Sequence, residues 1–190
     1  MSILKVARMG HPVLRAPTKT LSVKDIQTPE IQKLIDDMVE TMHEYEGVGL
    51  AAPQVHESLK LAVIEFDPEN PRYKDLGKKG LEVFINPKIE VLDETPRAFW
   101  EGCLSIPEIR ALIYRPRKIR VTYLDRDAKK QTVEAEDFLA IVLQHELDHL
   151  DGVLFIDRVQ PVPGATPIAF VEEYTKYDLP AQFEPTEELD

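Results

Sequence analysis

The segment DFLAIVLQHELDHL, residues 137–150, constrains the fold more than any other. Phe138, Ile141, Val142, His145 and His149 recur at three- and four-residue steps, so they share one face of a helix. That helix ends near Gly152. His145 and His149 are four apart, so both imidazoles project from one face and can meet one ion. Glu146 sits beside the first of them, within reach of a metal-bound water. The plainer alternative is a buried helix whose histidines are only hydrogen-bonded.

A second, amphipathic helix is predicted over residues 29–45, where Ile31, Leu34, Ile35, Met38, Val39 and Met42 make one apolar stripe. Thr28 is its expected N-cap, Pro29 its first residue and Gly47 its stop. GVGLAAPQV, 47–55, reads as a loop, since two glycines and a proline disfavour a regular element. KLAVIEF, 60–66, reads as a strand, and residues 68–80 as a polar loop. EVFINP and KIEVL read as two short strands around Pro87, and KIRVTYL and QTVEAE as a hairpin joined by DRDAKK. The expected class is α+β: antiparallel strands packed around a central metal-binding helix, with the amphipathic helix near the N-terminus. One domain is expected over 1–190, with about 180–190 a flexible acidic tail.

The formal net charge of -11 argues against non-specific binding to nucleic acid or an anionic membrane. Cys103 is the single cysteine, which excludes an internal disulfide and points to a reducing compartment. The N-terminal MSILKVARMGHPVLRAP has no apolar signal-like core, and no run approaches the roughly 18 apolar residues of a membrane span. A cytoplasmic enzyme or binding domain is the expectation.

A catalytic ion held by two histidines needs a third protein ligand. The metzincin continuation would need a histidine at position 155, where this chain has Phe155. A glutamate some twenty residues on would be Glu172 or Glu173, in a stretch, IAFVEEYTKYDLP, that could form a short helix. The other candidate is Cys103, in the turn-like EGCLSIP. Its thiolate is a strong ligand for zinc and iron, and Cys-His-His leaves a fourth position open for water. The plainer reading of Cys103 is a small buried hydrophobe.

GVGLAAPQ at 47–54, EGCLSIP at 101–107 and QHELDHLDG at 144–152, in this order and spacing, closely resemble the three motifs of the peptide deformylases. The flanks ILKVARMGHPVLR, the DRD turn and GVLFIDRV match as well, so the resemblance covers roughly residues 3–160. It implies that Cys103, His145 and His149 bind the metal. Ferrous iron is the implied native ion, with zinc, nickel or cobalt as substitutes. Glu146 is implied as general acid and base, and the Gln54 amide and Leu104 N–H as oxyanion donors. The implied reaction removes the N-formyl group from the initiator methionine of nascent chains and releases formate. Metal-bound water, its pKa lowered toward neutrality, would attack the formyl carbon. Val48, Phe138, Ile141 and Val142 would line the methionine pocket. Gly49, Glu101 and Gly102 would flank the peptide, with Glu101 paired to Arg115. The partners implied are N-formyl-methionyl peptides and a transient ribosome contact, with no direct nucleic-acid or membrane binding.

Asp148 reads as a solvated charge facing away from the stripe, and His11, His43 and His56 as structural or surface residues. The pattern departs from the family at QPVPGATP and the acidic end beyond it, and in a somewhat long loop over 67–80. Three rivals stay open: a zinc endopeptidase using Glu172 or Glu173, a cysteine hydrolase with Cys103 as nucleophile and His145 as base, and a non-catalytic metal-binding module.

Overall fold

The computed structural model describes residues 2–65, 80–161, 166–174 and 176. Its helices are α1 (Val23–Ile26), α2 (Pro29–Glu44) and α3 (Asp137–Asp148). Its strands are β1 (Gly49–Ala51), β2 (Leu61–Glu65), β3 (Leu81–Cys103), β4 (Ile106–Leu124), β5 (Lys130–Glu136) and β6 (Ile168–Phe170). The first five strands form one antiparallel sheet in the order β1-β2-β3-β4-β5, and β6 adds to β4. No helix among the described residues is long and apolar enough to cross a membrane. The polar loop expected over 68–80 lies outside the described residues apart from Gly80, and the tail expected at about 180–190 lies wholly outside them.

The period-2 alternation of β2 explains how the sheet holds both long helices. Ala62 and Ile64 join α3's Leu139, Ala140, Leu143 and Leu147 in one core. Leu61 and Val63 join α2's Ile35, Met38 and Met42 in another. Consecutive side chains point to opposite faces, so a strand buried on both faces reads as an unbroken apolar run. Helix α3 is buried all round from Leu139 to Leu147, whereas α2 buries one stripe. Burying each leucine-sized side chain contributes about 1.5–3 kcal/mol.

Helix α2 starts as expected, with Thr28 Oγ1 accepting from Ile31 N–H and Pro29 in the first turn. Its end differs. Glu46, not Gly47, takes the left-handed conformation at φ +53°, and Gly47 N–H donates to Met42 carbonyl at 2.9 Å. The 47–55 stretch also departs from the loop expected of it. Gly49–Ala51 pairs with β2, and Ala52–Val55 makes one 3-10 turn. This backbone is buried, so its polar groups must be bonded, and the sheet edge supplies the partners.

The two short strands expected around Pro87 are one continuous strand. The register of β3 against β4 shifts between Ile85 and Lys88, a bulge that accommodates a residue without an N–H. Asn86, at φ +50°, is held there by side-chain bonds to both the N–H and the carbonyl of Leu21. The strand pair then extends to Cys103 and Ile106, well past the expected ends. The β4–β5 hairpin matches expectation, from Lys118↔Glu136 to Leu124↔Lys130.

Helix α3 passes into a 3-10 turn, His149–Asp151, and stops at Gly152, whose φ is +71°. Arg15 fastens this end, donating to the Gly152 carbonyl at 2.9 Å and ion-pairing with Asp157. A Cβ on Gly152 would stand 3.2 Å from the Arg15 carbonyl oxygen in a conformation L residues avoid. Gly152→Ala should therefore lower stability by about 1–2 kcal/mol. Urea unfolding would show a lower midpoint at unchanged m, and an unshifted midpoint would refute the assignment.

Candidate metal centre and cleft

Two chain segments meet at the site. Strand β3 delivers Glu101 and Cys103 on alternate positions of one face, while α3 delivers His145 and Glu146 and the turn after it delivers His149. The ligand atoms of Cys103, His145 and His149 lie within 4.8 Å of one another, and all three residues are buried. Cys103 Sγ is 3.3 Å from His149 Nε2. Glu172 and Glu173 are not part of this group. They follow β6 in a turn, not a helix, and Glu173 pairs with Lys176.

His145 is aimed by a buried relay. Its Nδ1 lies 2.8 Å from Glu101 Oε2, which leaves Nε2 for an ion. Arg115 holds Glu101 with two bonds, Nε to Oε1 at 2.5 Å and an Nη to Oε2 at 2.9 Å. Its other Nη donates to Asp148 Oδ2 at 2.8 Å. Asp148 also accepts two bonds from Arg158. Asp148 does lie off the histidine stripe, but it is not solvated. The side of α3 that carries it meets β4 and the chain after Gly152, and its side chain keeps 12% exposure.

These contacts set the charges. Burial alone would raise the Glu101 carboxyl, yet Arg115, by charge and hydrogen bond, together with His145 holds it at about 2. Burial would lower the Arg115 guanidinium, and Glu101 and Asp148 raise it instead. Glu146 has no such partner. Burial pushes it up to about 7, with the charge of His145 opposing. Burial likewise drives His149 well below its ordinary range.

Glu146 Oε2 and His149 Nδ1 are buried with no hydrogen-bond partner among the described residues. Gln54 is locked, its Oε1 accepting from Ala51 N–H at 2.8 Å while its Nε2 points to Cys103 Sγ at 3.5 Å and Ser105 Oγ at 3.3 Å. A Cβ on Gly49 would stand 2.6 Å from the Glu146 side chain, so the catalytic candidate packs directly on bare backbone. Thiolate plus two imidazoles is a donor set suited to zinc or iron, with one coordination position left open.

A cleft of about 510 Å³ opens onto these groups. Gln54, Cys103, Leu104, His145 and Glu146 line it. So do Val48, Gly49, Glu101, Gly102, Phe138, Ile141 and Val142, with Val48 on the rim at 41% exposure. His149 lies behind, 1% exposed. His11, His43 and His56 line no part of it. Sequence reasoning missed Phe99, whose ring meets Phe138 at 5.8 Å, and Arg8, which donates to the Leu104 carbonyl at 3.3 Å. It also missed Arg110, which lies across Gly102. Strand alternation back from Cys103 and Glu101 could have placed Phe99; nothing local marks the two arginines.

The family model for polypeptide deformylase matches residues 3–163. A peptide deformylase of Leptospira biflexa is 42% identical over 160 residues, covering 84% of this chain and 89% of its own. The crystal structure of peptide deformylase from Thermotoga maritima superposes with a TM-score of 0.74 at 38% identity, over 85% of this chain and 100% of that one. The Met-Ala-Ser-bound class I type b peptide deformylase from Acinetobacter baumannii gives 0.77 at 35%, over 84% and 100%. An antiparallel sheet with few helices and a buried Cys-His-His group defines the class of fold and site. The chain belongs to the peptide deformylase family of enzymes.

Removing Arg115 leaves Glu101 and Asp148 buried without their shared cation. Arg115→Met should cost about 3–5 kcal/mol in urea unfolding. The Glu101 carboxyl is depressed when folded, so its contribution is full above the unfolded value of 4.5 and is lost as pH falls through about 2. The gap between wild type and Arg115→Met should therefore narrow from pH 5 downward. A gap that is constant with pH would mean that Arg115 does not set the Glu101 charge.

Proposed function

We propose that this chain removes the N-formyl group from the first methionine of nascent peptides and releases formate. The observation that carries the reading is the convergence of Cys103, His145, Glu146 and Gln54 on one cleft of a peptide deformylase fold, with His149 directly behind Cys103. The Met-Ala-Ser peptide named with the Acinetobacter structure supports a peptide-sized occupant.

Cys103 Sγ and the two imidazoles would hold a divalent ion, ferrous iron first and zinc, nickel or cobalt in its place, which would supply Lewis acidity and a more acidic water. Glu146 is the general base and then the general acid. It accepts the proton of the attacking water on a carboxylate oxygen and delivers it to the departing amine of methionine. Its burial suits this exchange, because a carboxyl raised to about 7 both takes and returns a proton near neutrality. Gln54 Nε2 and the Leu104 N–H face the developing oxyanion, and one such donor is worth about 3 kcal/mol. Gln54 is pre-aimed by its bond to Ala51, so no reorganisation is needed when charge develops. Glu101 acts through His145, as a positioning residue. Phe138, Ile141 and Val142, with Val48 at the rim, form the methionine pocket. Gly49 and Gly102 let backbone approach the peptide.

Residues 1–190 act as one catalytic domain on nascent chains in the cytoplasm, with a transient ribosome contact and no direct hold on nucleic acid or membrane.

The test is formate release from a formyl-Met tripeptide by protein loaded anaerobically with iron or nickel. Chelator should abolish release, and internal peptide bonds should stay intact. Glu146→Gln should keep its metal and lose roughly 10²–10⁴ of turnover, while Cys103→Ala should fail to retain metal by elemental analysis. Internal cleavage without formate, or a metal-loaded Cys103→Ala, would overturn the reading.

A further inference from the structure

The family match ends at residue 163, yet the chain continues into the cleft. Residues 166–174 fold back along the open edge of β4. The pairs are Ile109↔Phe170, Arg110↔Ala169 and Ala111↔Ile168. The ladder is extended at both ends, by Leu112 N–H to the Pro167 carbonyl and by Val171 N–H to the Glu108 carbonyl, each at 2.8 Å. Beyond β6 the chain turns back on itself, Tyr174 N–H donating to the Phe170 carbonyl at 3.1 Å. The turn is pinned by an aromatic contact, Tyr174 against Trp100 of β3, ring centroids 5.5 Å apart. Between these fixings, Val171 lines the cleft beside Trp100, Gly102, Glu108 and Arg110.

We propose that this segment is a specificity wall for the peptide residues that follow the formyl-methionine, and that it favours apolar side chains there. The inference rests on the deformylase reading of the same cleft. Two physical points carry it. The wall is built at fixed positions, since a backbone ladder and a ring contact hold it to both β4 and β3. Its cleft-facing residue is also apolar and open: Val171 is 39% exposed and lines the cleft together with Trp100. Covering Val171 and Trp100 with an apolar side chain is favourable in proportion to the area removed from water, a gain that an acidic side chain could replace only by pairing with Arg8 or Arg110 against the repulsion of Glu46 and Glu108, which line the same cleft. The methionine-pocket candidates Phe138, Ile141 and Val142 lie on α3, in the same cleft. Consecutive residues of a strand face opposite ways, so Phe99 and Glu101 look toward α3 while Trp100 looks toward the wall. The wall therefore meets the rest of the peptide, not the methionine.

The test uses the full chain loaded with nickel and three substrates: formyl-methionine amide, formyl-Met-Leu-Phe and formyl-Met-Asp-Glu. Wild type should prefer Leu-Phe over Asp-Glu, mainly through KM. Val171→Asp should lower the kcat/KM ratio of formyl-Met-Leu-Phe to formyl-methionine amide on the order of tenfold. Tyr174→Ala should lower it in the same direction by less, and Tyr174→Phe should restore it. A ratio unmoved in both Val171→Asp and Tyr174→Ala, or a wild type indifferent between Leu-Phe and Asp-Glu, would overturn the proposal. Absence of formate from all three substrates in metal-loaded wild type would instead overturn the deformylase reading, and this inference with it.

Discussion

A guanidinium with almost no access to water cannot stand alone, and Arg115 is such a group. Taking its charge and that of Glu101 out of water costs several kcal/mol for each ion, which their attraction repays only with good geometry. The geometry is good: two bonds to Glu101, one to Asp148, and two from Arg158 to Asp148. Hydrophobic residues of the same volume could stabilise the fold as well, so stability does not account for the arrangement. Orientation does. Glu101 fixes the His145 ring through Nδ1, and Asp148 ties the far side of the same helix turn to the same arginine. Three elements, β3, β4 and α3, are thereby registered to one another at the point where Cys103, His145 and His149 converge.

The rest of the site follows from that registration. With α3 fixed against β3, Cys103 at the strand's end reaches His149, and Glu146 falls onto Gly49 of β1. Each neighbour then has a steric or electrostatic reason. Gly49 is bare because Glu146 occupies the space of a side chain. Gln54 is held by Ala51 so that its amide nitrogen, not its oxygen, meets the thiol. Two acidic groups in one buried site are driven apart, Glu101 to about 2 by its arginine and Glu146 to about 7 by burial without one. The first is held as an anion by its cation; the second, without one, is raised by burial.

Much of this was legible in residues 137–150, where a long apolar run carries the histidines at helical spacing, and in 29–45, where helical period and burial coincide. The β4–β5 hairpin was legible for the same reason at period 2. The long β3–β4 ribbon was not. Pro87, Pro96, Pro107 and Pro116 interrupt its pattern, and only the pairing across bulges, with Pro96 opposite Pro116, shows two continuous strands. The family resemblance marks Arg115 only as a partner for Glu101, and Asp148 looks in sequence like an ordinary surface charge. Their burial is a tertiary fact, set by partners 14 and 33 positions from Arg115. GVGLAAPQV misled because glycine marks a loop in most chains, whereas here Gly49 marks the close approach of a side chain.

Residues 166–174 show the limit of local reasoning most sharply. IAFVEEYTKYDLP has spacing compatible with a short helix, and its two glutamates stand where another class of metal site would need them. Cys103, not either glutamate, lies with the two histidines, and the segment forms a strand and a turn. The open edge of β4 offers unpaired backbone groups, and three residues in extended conformation satisfy them. Strand pairing then decides which side chains reach the cleft: the ladder ends by presenting Val171, and the Trp100–Tyr174 contact holds the following turn in place. A segment outside the family match thus lines the cleft without joining the Cys103, His145 and His149 group.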